Sequence, residues 1–340
     1  MAKFNFEATG IGSVPFKDPK TACEIIFDNF PTIPFWPQLP RRSYLENMYV
    51  QFSERLPGLI LDENNKTIHI DTSEAAGEIE RIYEKYIESD LEFFRMSEDH
   101  AEGLYAFLRR AKKLPDSVKF LKGHIIGPVS YALSLTDQKK RAVLYDKDLL
   151  ETLTKVLVMK VRWQVKKLKE LFPKVMIFID EPSLVSLGSS YININPDSAF
   201  ERLDELIKMI KAEGALCGLH CCGNTDWGLL LKRDIDIISF DAYNFMKEFL
   251  LYSAELKEFF QRGGSVAWGI VPTSEAIEKE TPENLARQLK AALDILSNKG
   301  IDRKSVSSLI TPSCGVGTLD EARAREVFET TKNVSEMLRQ

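Results

Sequence analysis

Short apolar runs that end in Gly, Pro, Asp or Cys recur along the chain, and each is followed by a stretch of helical pattern. Eight runs have this form, at residues 6–12, 33–37, 120–127, 175–182, 216–222, 235–241, 265–271 and 308–314. Most are continuously apolar, which is typical of strands buried on both faces of a parallel sheet. Apolar residues at helical spacing predict helices between them, for example at 149–172, 199–212, 282–296 and 319–338.

Strands that alternate with helices along most of the chain predict one (β/α)₈ barrel, a TIM barrel, formed by residues 1–340 as a single domain. A doubly wound open sheet is the alternative. Against it, no GxGxxG follows an early strand and no P-loop is present. At about residues 58–71, two β-rich runs flank Asn64–Asn65 and predict a small hairpin inserted before the third barrel strand.

Composition narrows the class of protein. The chain has 340 residues, 44% hydrophobic and 28% charged, which excludes a disordered or fibrous protein. Its 45 basic and 50 acidic residues give a net charge of −5, which argues against nucleic acid as a main partner. No apolar run approaches the roughly 18–20 residues that span a bilayer, and no signal-peptide pattern is present. We therefore expect a cytoplasmic protein without a membrane partner.

The cysteines suggest metal chemistry. Their number, five, is odd and does not predict a disulfide framework. Cys217, Cys221 and Cys222 crowd around His220, although the chain has only four histidines. Because a strand alternates with a period of two, His220 and Cys222 share a face, whereas Cys221 points away and packs as a small hydrophobic residue.

Other strand ends add candidate ligands. Active sites of these barrels lie at the carboxyl ends of the strands, and Asp241 and Cys314 end two further runs. One imidazole, two thiolates and a possible carboxylate suit Zn²⁺. The alternative is that the cysteines are ordinary buried residues and that His220 is a core histidine. Three ligand-type residues at the strand ends of one predicted barrel favour the metal site.

Six short motifs carry a family resemblance. In chain order they are TGIGSVP at 9–15, GPVS at 127–130, IDEPSL at 179–184, LHCCGN at 219–224, ISFD at 238–241 and TPSCG at 311–315. Together the motifs resemble those of cobalamin-independent methionine synthases. They are equally similar to those of the related methylcobalamin:thiol methyltransferases, whose His-x-Cys-Gly-Asn motif is closer to the sequence of residues 220–224 in this chain.

The resemblance implies a uroporphyrinogen-decarboxylase-like barrel with one catalytic Zn²⁺, held by His220, Cys222 and Cys314. Asp241 stands where methionine synthases have glutamate, so its place among the ligands is less firmly implied. The implied chemistry is loss of the proton of a thiol, expected to be homocysteine, at the zinc, followed by attack of its sulfur on a methyl donor.

The resemblance also implies an acceptor site. Gly12 and Ser13 match the positions that hold the amino-acid carboxylate, and Asp180 matches the position that holds the amine. Read without the family, Gly12–Ser13 is a strand-end turn and Asp180 is a helix N-cap.

Three departures from the folate enzymes concern the methyl donor. The sequence predicts one barrel instead of two, the tryptophan expected after GPVS is absent near Ser134, and the stretch 267–272 holds no histidine. A folate donor needs a stacking surface and a proton for its leaving nitrogen. We therefore expect a methyl-corrinoid donor, free or protein-bound. Methylfolate as donor, or another small thiol as acceptor, is the alternative.

The sequence alone leaves two alternative functions and one candidate docking surface undecided. A uroporphyrinogen-decarboxylase-like lyase would use the same barrel without a metal, and a corrinoid or thiol carrier would use a closed structural zinc. The strip Phe35–Trp36–Pro37 with Arg41 and Arg42 is a candidate docking rim for the corrinoid. The competing interpretation places the strip in the core and the arginines on an ordinary surface.

Overall fold

The computed structural model describes residues 3–186 and 196–340. Strands in this part of the chain are β1 (Asn5–Ala8), β2 (Leu59–Asp62), β3 (Thr67–Ile70), β4 (Leu121–Ile126), β5 (Val175–Asp180), β6 (Leu216–Cys221), β7 (Ile237–Phe240), β8 (Ser265–Val271) and β9 (Ser307–Pro312). Seven of them form one parallel sheet in the order β1-β9-β8-β7-β6-β5-β4. The protein is therefore of the α/β class, with a curled parallel sheet.

Helices connect and cover these strands. They are α1 (Pro19–Asn29), α2 (Thr72–Ile87), α3 (Glu98–Arg110), α4 (Pro128–Ser134), α5 (Lys147–Lys169), α6 (Pro196–Ala212), α7 (Trp227–Leu231), α8 (Ala242–Phe249), α9 (Ser253–Gln261), α10 (Pro282–Asn298) and α11 (Glu321–Arg339). The four helices expected from apolar spacing correspond to α5, α6, α10 and α11. Among the described residues, no helix is both long enough and apolar enough to cross a membrane.

The two faces of the sheet pack into different apolar clusters. Ile177 and Ile179 of β5 belong to the large core that includes the covering helices. Met176 and Phe178, at the alternate positions, belong to a smaller cluster with Phe120 and other residues of the concave side, namely Phe4, Ile33, Ile237, Ala267 and Leu309. Because side chains alternate along a strand, this smaller cluster fills the inside of the curl and forms a floor beneath the strand ends.

The second strand of the predicted barrel is absent as a regular strand, so a full eight-stranded barrel is not shown. Residues 33–37 contain Pro34 and Pro37, which have no N–H to give to a strand ladder. The segment still lies between β1 and β4. Lys122 N donates to Pro34 O (2.9 Å), and Gln38 N donates to Gly12 O (3.0 Å). An irregular extended segment therefore occupies the place where the sequence predicts a strand.

The aromatic strip in this segment is not a surface, so its interpretation as part of an exposed docking rim is wrong. Phe35 and Trp36 are fully buried, and Pro37 is buried as well. The Phe35 ring packs 6.0 Å from that of Phe328, and Trp36 Nε1 donates to Gln164 Oε1 at 2.9 Å. Because the segment fills the space between two strands, its apolar side chains enter the core on either side.

The neighbouring arginines are engaged within the chain. Arg42 forms an ion pair with the buried carboxylate of Glu46 (2.8 Å). Arg41 Nη2 donates to the carbonyl of Thr318 at 2.8 Å. These contacts give both side chains a role in holding the loops together.

The predicted hairpin is present as β2 and β3. Leu59 pairs with Ile70 and Asp62 pairs with Thr67 in an antiparallel ladder. Asp62 Oδ1 accepts a hydrogen bond from Asn65 N at 3.0 Å, which closes the turn between the strands. The hairpin forms its own two-stranded sheet, separate from the seven-stranded one.

Candidate metal centre

Three side chains of the kinds that bind metals meet at the carboxyl edge of the sheet. His220 lies near the end of β6, Cys222 follows it directly, and Cys314 follows β9. One ligand atom from each of the three lies within 4.8 Å of the other two. Strands β7 and β8 separate β6 from β9 in the sheet, so it is the curl of the sheet that brings these ends together.

His220 is held with one ring nitrogen available. Its Nδ1 lies 3.0 Å from the hydroxyl of Ser239, its partner in register on β7. Its Nε2 is buried and has no hydrogen-bond partner among the described residues. Burial, and secondarily the charge of Lys122, lowers the pKa of His220 to about 3. The imidazole is therefore neutral at physiological pH, as a metal ligand must be.

Cys222 and Cys314 form an interacting thiol pair. Hydrogen bonding with Cys314 lowers the pKa of Cys222 to about 7. The same bond, together with burial, raises the pKa of Cys314. One thiolate is thus accessible near neutral pH, and a cation bound between the sulfur atoms would favour the second.

Cys221 lies outside this cluster. It is fully buried, and its thiol donates to the carbonyl of Gly223 at 3.6 Å. Burial raises its pKa to about 12. The chain thus places consecutive cysteines in opposite environments, as the alternation of a strand predicts.

The donor set fits Zn²⁺. One neutral nitrogen and two sulfur donors are ligands that zinc prefers, and zinc commonly takes four, one of which is exogenous in catalytic sites. The unpaired Nε2 of His220 is the local observation in favour, because a buried nitrogen without a partner is costly unless something binds it.

Asp241 is not part of the cluster. Its Oδ1 accepts from Asn244 N (3.0 Å) and its Oδ2 from Asn244 Nδ2 (2.6 Å), so the carboxylate caps the start of α8. Burial raises its pKa. With both oxygens engaged in the cap, its place as a metal ligand stays a prediction.

Asp180 lies at the end of β5, next to His220 in register. Its Oδ1 is buried and has no hydrogen-bond partner among the described residues. Burial raises its pKa, while the ammonium of Lys122 opposes that rise. A carboxylate with an unused oxygen beside the cluster of candidate metal ligands is available for a ligand.

Two further polar residues of this region lie on β4 and were not identified from the sequence. Lys122 is fully buried, and its Nζ donates to the carbonyl of Ile11 at 2.5 Å. His124 is buried as well, with its ring stacked on Trp36 at 3.8 Å. The available signal was their spacing, because ionisable residues at alternate positions of an apolar strand share one face.

The Gly12–Ser13 turn lies between His124 and the loop that carries Cys314. Ser13 O accepts from Val316 N at 2.9 Å. A Cβ at Gly315 would lie 2.2 Å from Ser13 Oγ, and a Cβ at Gly12 would lie 3.0 Å from His124 Nδ1. The turn is therefore close to both β4 and the candidate metal ligands.

Glu181 links the GPVS and IDEPSL motifs. Its buried carboxylate accepts from Val129 N (2.9 Å), Ser130 N (2.8 Å) and Ser130 Oγ (2.6 Å) at the start of α4. Burial raises its pKa to about 7, and the bonds from Ser130 oppose that rise. A Cβ at Gly127 would lie 2.0 Å from Glu181 Oε1, so only glycine admits this approach. The two motifs are joined as a structural unit beside Asp180.

No protein-family model matches the chain, and none of the curated proteins matches it. Among solved structures, it is similar to a B12-independent methionine synthase from Shewanella sp. W3-18-1 in complex with selenomethionine, at 21% identity and a TM-score of 0.47. That match covers 68% of this chain and 66% of the other. A β-glycosidase from Thermosphaera aggregans matches over 100% of both chains, at 11% identity and a TM-score of 0.27. At these levels, neither likeness carries a functional conclusion.

Proposed function

We propose that this protein is a zinc-dependent methyltransferase that transfers a methyl group from a corrinoid donor to a thiol, with homocysteine as acceptor and methionine as product. The observation that carries the proposal is the cluster of His220, Cys222 and Cys314, with ligand atoms within 4.8 Å of one another. The motif resemblance adds the kind of reaction. We further propose that residues 33–38 substitute for the second strand of a (β/α)₈ barrel.

The residues around the cluster have different roles in the proposed reaction. Ser239 holds Nδ1 of the His220 ring, which leaves the unpaired Nε2 as the nitrogen that would bind the metal with the two sulfur atoms. A zinc ion held there would act as a Lewis acid and lower the pKa of the acceptor thiol. In the proposal, Asp180 holds the ammonium of the acceptor and the Gly12–Ser13 turn holds its carboxylate.

The proposed reaction breaks two bonds and forms one carbon–sulfur bond. The thiol S–H gives up its proton to solvent, and the sulfur electron pair forms the new S–CH₃ bond. The bond from the donor to its methyl group breaks, and its electron pair stays with the donor. With a methyl-corrinoid donor, the leaving group is the demethylated corrinoid in the Co(I) state, which requires no proton.

The structure around β8 supports this choice of donor. With a methylfolate donor, the leaving atom would be a nitrogen of the folate, and this nitrogen would require a proton source. Strand β8, with the sequence SVAWGIV, carries no acid or base. Its Trp268 is buried, with Nε1 donating to Ser308 Oγ at 3.0 Å, so the indole offers no open stacking surface.

The test is methionine formation by zinc-loaded protein given homocysteine and either methylcobalamin or methyltetrahydrofolate. We expect product with methylcobalamin and none with methyltetrahydrofolate. Cys217→Ser serves as the control variant, because Cys217 is a buried cysteine outside the cluster. Product from methyltetrahydrofolate without any corrinoid would reassign the donor. Protein that binds zinc and homocysteine but forms no methionine with either donor would refute the proposed function.

A further inference from the structure

His124 is a buried imidazole whose polar atoms are unused. The side chain is 1% exposed, and neither Nδ1 nor Nε2 has a hydrogen-bond partner among the described residues. Its position is well defined, because it stacks on Trp36 and meets the edge of Phe52 at 6.3 Å. Buried polar groups are nearly always hydrogen-bonded, so an unpaired imidazole held this firmly indicates a missing partner.

The backbone next to the ring also has unused donors. In the part of the chain that the structure describes, no residue accepts a hydrogen bond from the N–H of Gly12 or Ser13. The corresponding carbonyls are both engaged, by Gln38 N and Val316 N. Because Gly12 has no Cβ, its backbone lies directly against the His124 ring. At the Gly12–Ser13 turn, unpaired hydrogen-bond donors of the backbone therefore outnumber unpaired acceptors.

Lys122 supplies the positive charge near this turn; burial lowers the pKa of its amine to about 7, and the nearby carboxylate of Asp180 opposes that shift. Lys122 lies two residues before His124 on the same face of β4, and its buried ammonium donates to Ile11 O, the carbonyl next to Gly12. A cation, two unpaired N–H groups and an imidazole that can donate fit a group with several acceptor oxygens. A carboxylate satisfies all of them.

We propose that His124 is a specificity-determining residue of the acceptor site, which donates a hydrogen bond to the carboxylate of the thiol at the Gly12–Ser13 turn. This assignment rests on the proposed function for the identity of the thiol. The carboxylate itself follows from the surplus of donors. The ring selects acceptors that carry an acidic group over thiols that lack one.

The test compares two thiols that differ only in the carboxylate. Binding of L-homocysteine and of 3-mercaptopropan-1-amine to the zinc-loaded full chain is measured by calorimetry for the wild type and for His124→Phe. Phenylalanine keeps the stacking on Trp36 and removes both nitrogens. We expect the affinity for homocysteine to fall about 10-fold or more, as for a lost hydrogen bond to a charged group, and the affinity for the amine to stay unchanged.

Two further variants separate a local contact from a general loss of structure. His124→Gln keeps an N–H donor and should recover most of the affinity for homocysteine. His69→Phe removes an imidazole from the hairpin strand β3 and should affect neither thiol. Equal weakening of both thiols by His124→Phe, or no change in either, would overturn the inference.

A probe without a thiol keeps the inference distinct from the proposed function. Butyrate is titrated into protein labelled with ¹⁵N in its histidines, and the His124 ring signals are followed. A shift that saturates and that is absent in Gly12→Ala supports the carboxylate site even if zinc–thiol chemistry fails. Ring signals that move with neither butyrate nor homocysteine would refute it.

Discussion

Consecutive cysteines in this chain have different surroundings, and these decide their chemistry. Cys221 is buried against backbone, with its thiol hydrogen-bonded to Gly223 O and its pKa raised. Cys222 is only partly buried, interacts with Cys314 and has a lowered pKa. A thiol that ionises readily beside a second thiol and a neutral imidazole can bind a metal, whereas an isolated buried thiol cannot.

We predict that Cys222→Ser and Cys314→Ser each lower the affinity for zinc on the order of 100-fold or more, because each removes one thiolate from a small ligand set. Cys221→Ser, the control, should leave the affinity unchanged. Zinc content after dialysis, measured by atomic emission, and competition with a chromogenic chelator check both statements. Equal losses in all three variants would mean that the strand end has a different register.

The residues of the site differ in how well the sequence reveals them. His220, Cys222 and Cys314 could be predicted because ligand-type residues at strand ends are visible in a periodic pattern. Lys122 and His124 were missed because the apolar pattern around them dominates the interpretation of residues 120–127. Whether a buried nitrogen has a partner depends on residues distant in the chain, so no local pattern reports it.

Among the elements, the short helix α4 depends on a carboxylate from another part of the chain. Its Gly127 N-cap offers no side-chain cap, and Glu181 instead accepts three hydrogen bonds from Val129 and Ser130. Unpaired donors at a buried helix start are costly. The contact between Glu181 and the start of α4 therefore serves stability first. Because Asp180 precedes Glu181, the same contact also positions Asp180.

We predict that Glu181→Ala lowers the free energy of unfolding by about 3 kcal/mol or more, because three buried donors lose their acceptor. Glu213→Ala is the control, since its partly exposed ion pair with Arg162 should contribute less than about 1 kcal/mol. Urea denaturation followed by circular dichroism measures both values. A loss for Glu181→Ala no larger than that of the control would show that the cap is dispensable.

Prediction of the elements succeeded where apolar periodicity coincides with backbone hydrogen bonding. Seven predicted strands form, with ends that differ by a few residues, and so does the hairpin. Residues 33–37 have the apolar pattern of a strand, but Pro34 and Pro37 cannot complete a ladder. The pattern reports burial, and burial alone does not make a strand.

In the whole molecule, the candidate metal ligands come from strands that are not neighbours in the sheet. His220 and Cys222 belong to the end of β6, and Cys314 to the end of β9. A metal bound by all three would connect distant parts of the curled sheet. Because the unfolded chain does not bring these residues together, such binding favours the folded state.

We predict that zinc at about 100 times its dissociation constant stabilises the fold by about 2.7 kcal/mol, as binding linkage requires. Scanning calorimetry should show a thermal midpoint several degrees higher with zinc than after removal of metal by a chelator. In the double variant Cys222→Ser/Cys314→Ser, the midpoint should not respond to either treatment. A wild-type midpoint that is the same with and without zinc would exclude a metal bound by the native state.

The pairing of β1 with β9 has a consequence for biosynthesis. Phe4 and Ser307, which flank this pairing, are hydrogen-bonded although they are 303 residues apart. During translation, β1 leaves the ribosome long before its partner exists, and its hydrogen-bonding edge stays unpaired in the meantime. The β1–β9 pairing is also among the slowest contacts to form, because it joins residues about 303 positions apart and the entropic cost of closing a loop grows with its length. A nascent chain stalled before β9 should therefore expose β1 to chaperones, and release of the full chain should remove that exposure.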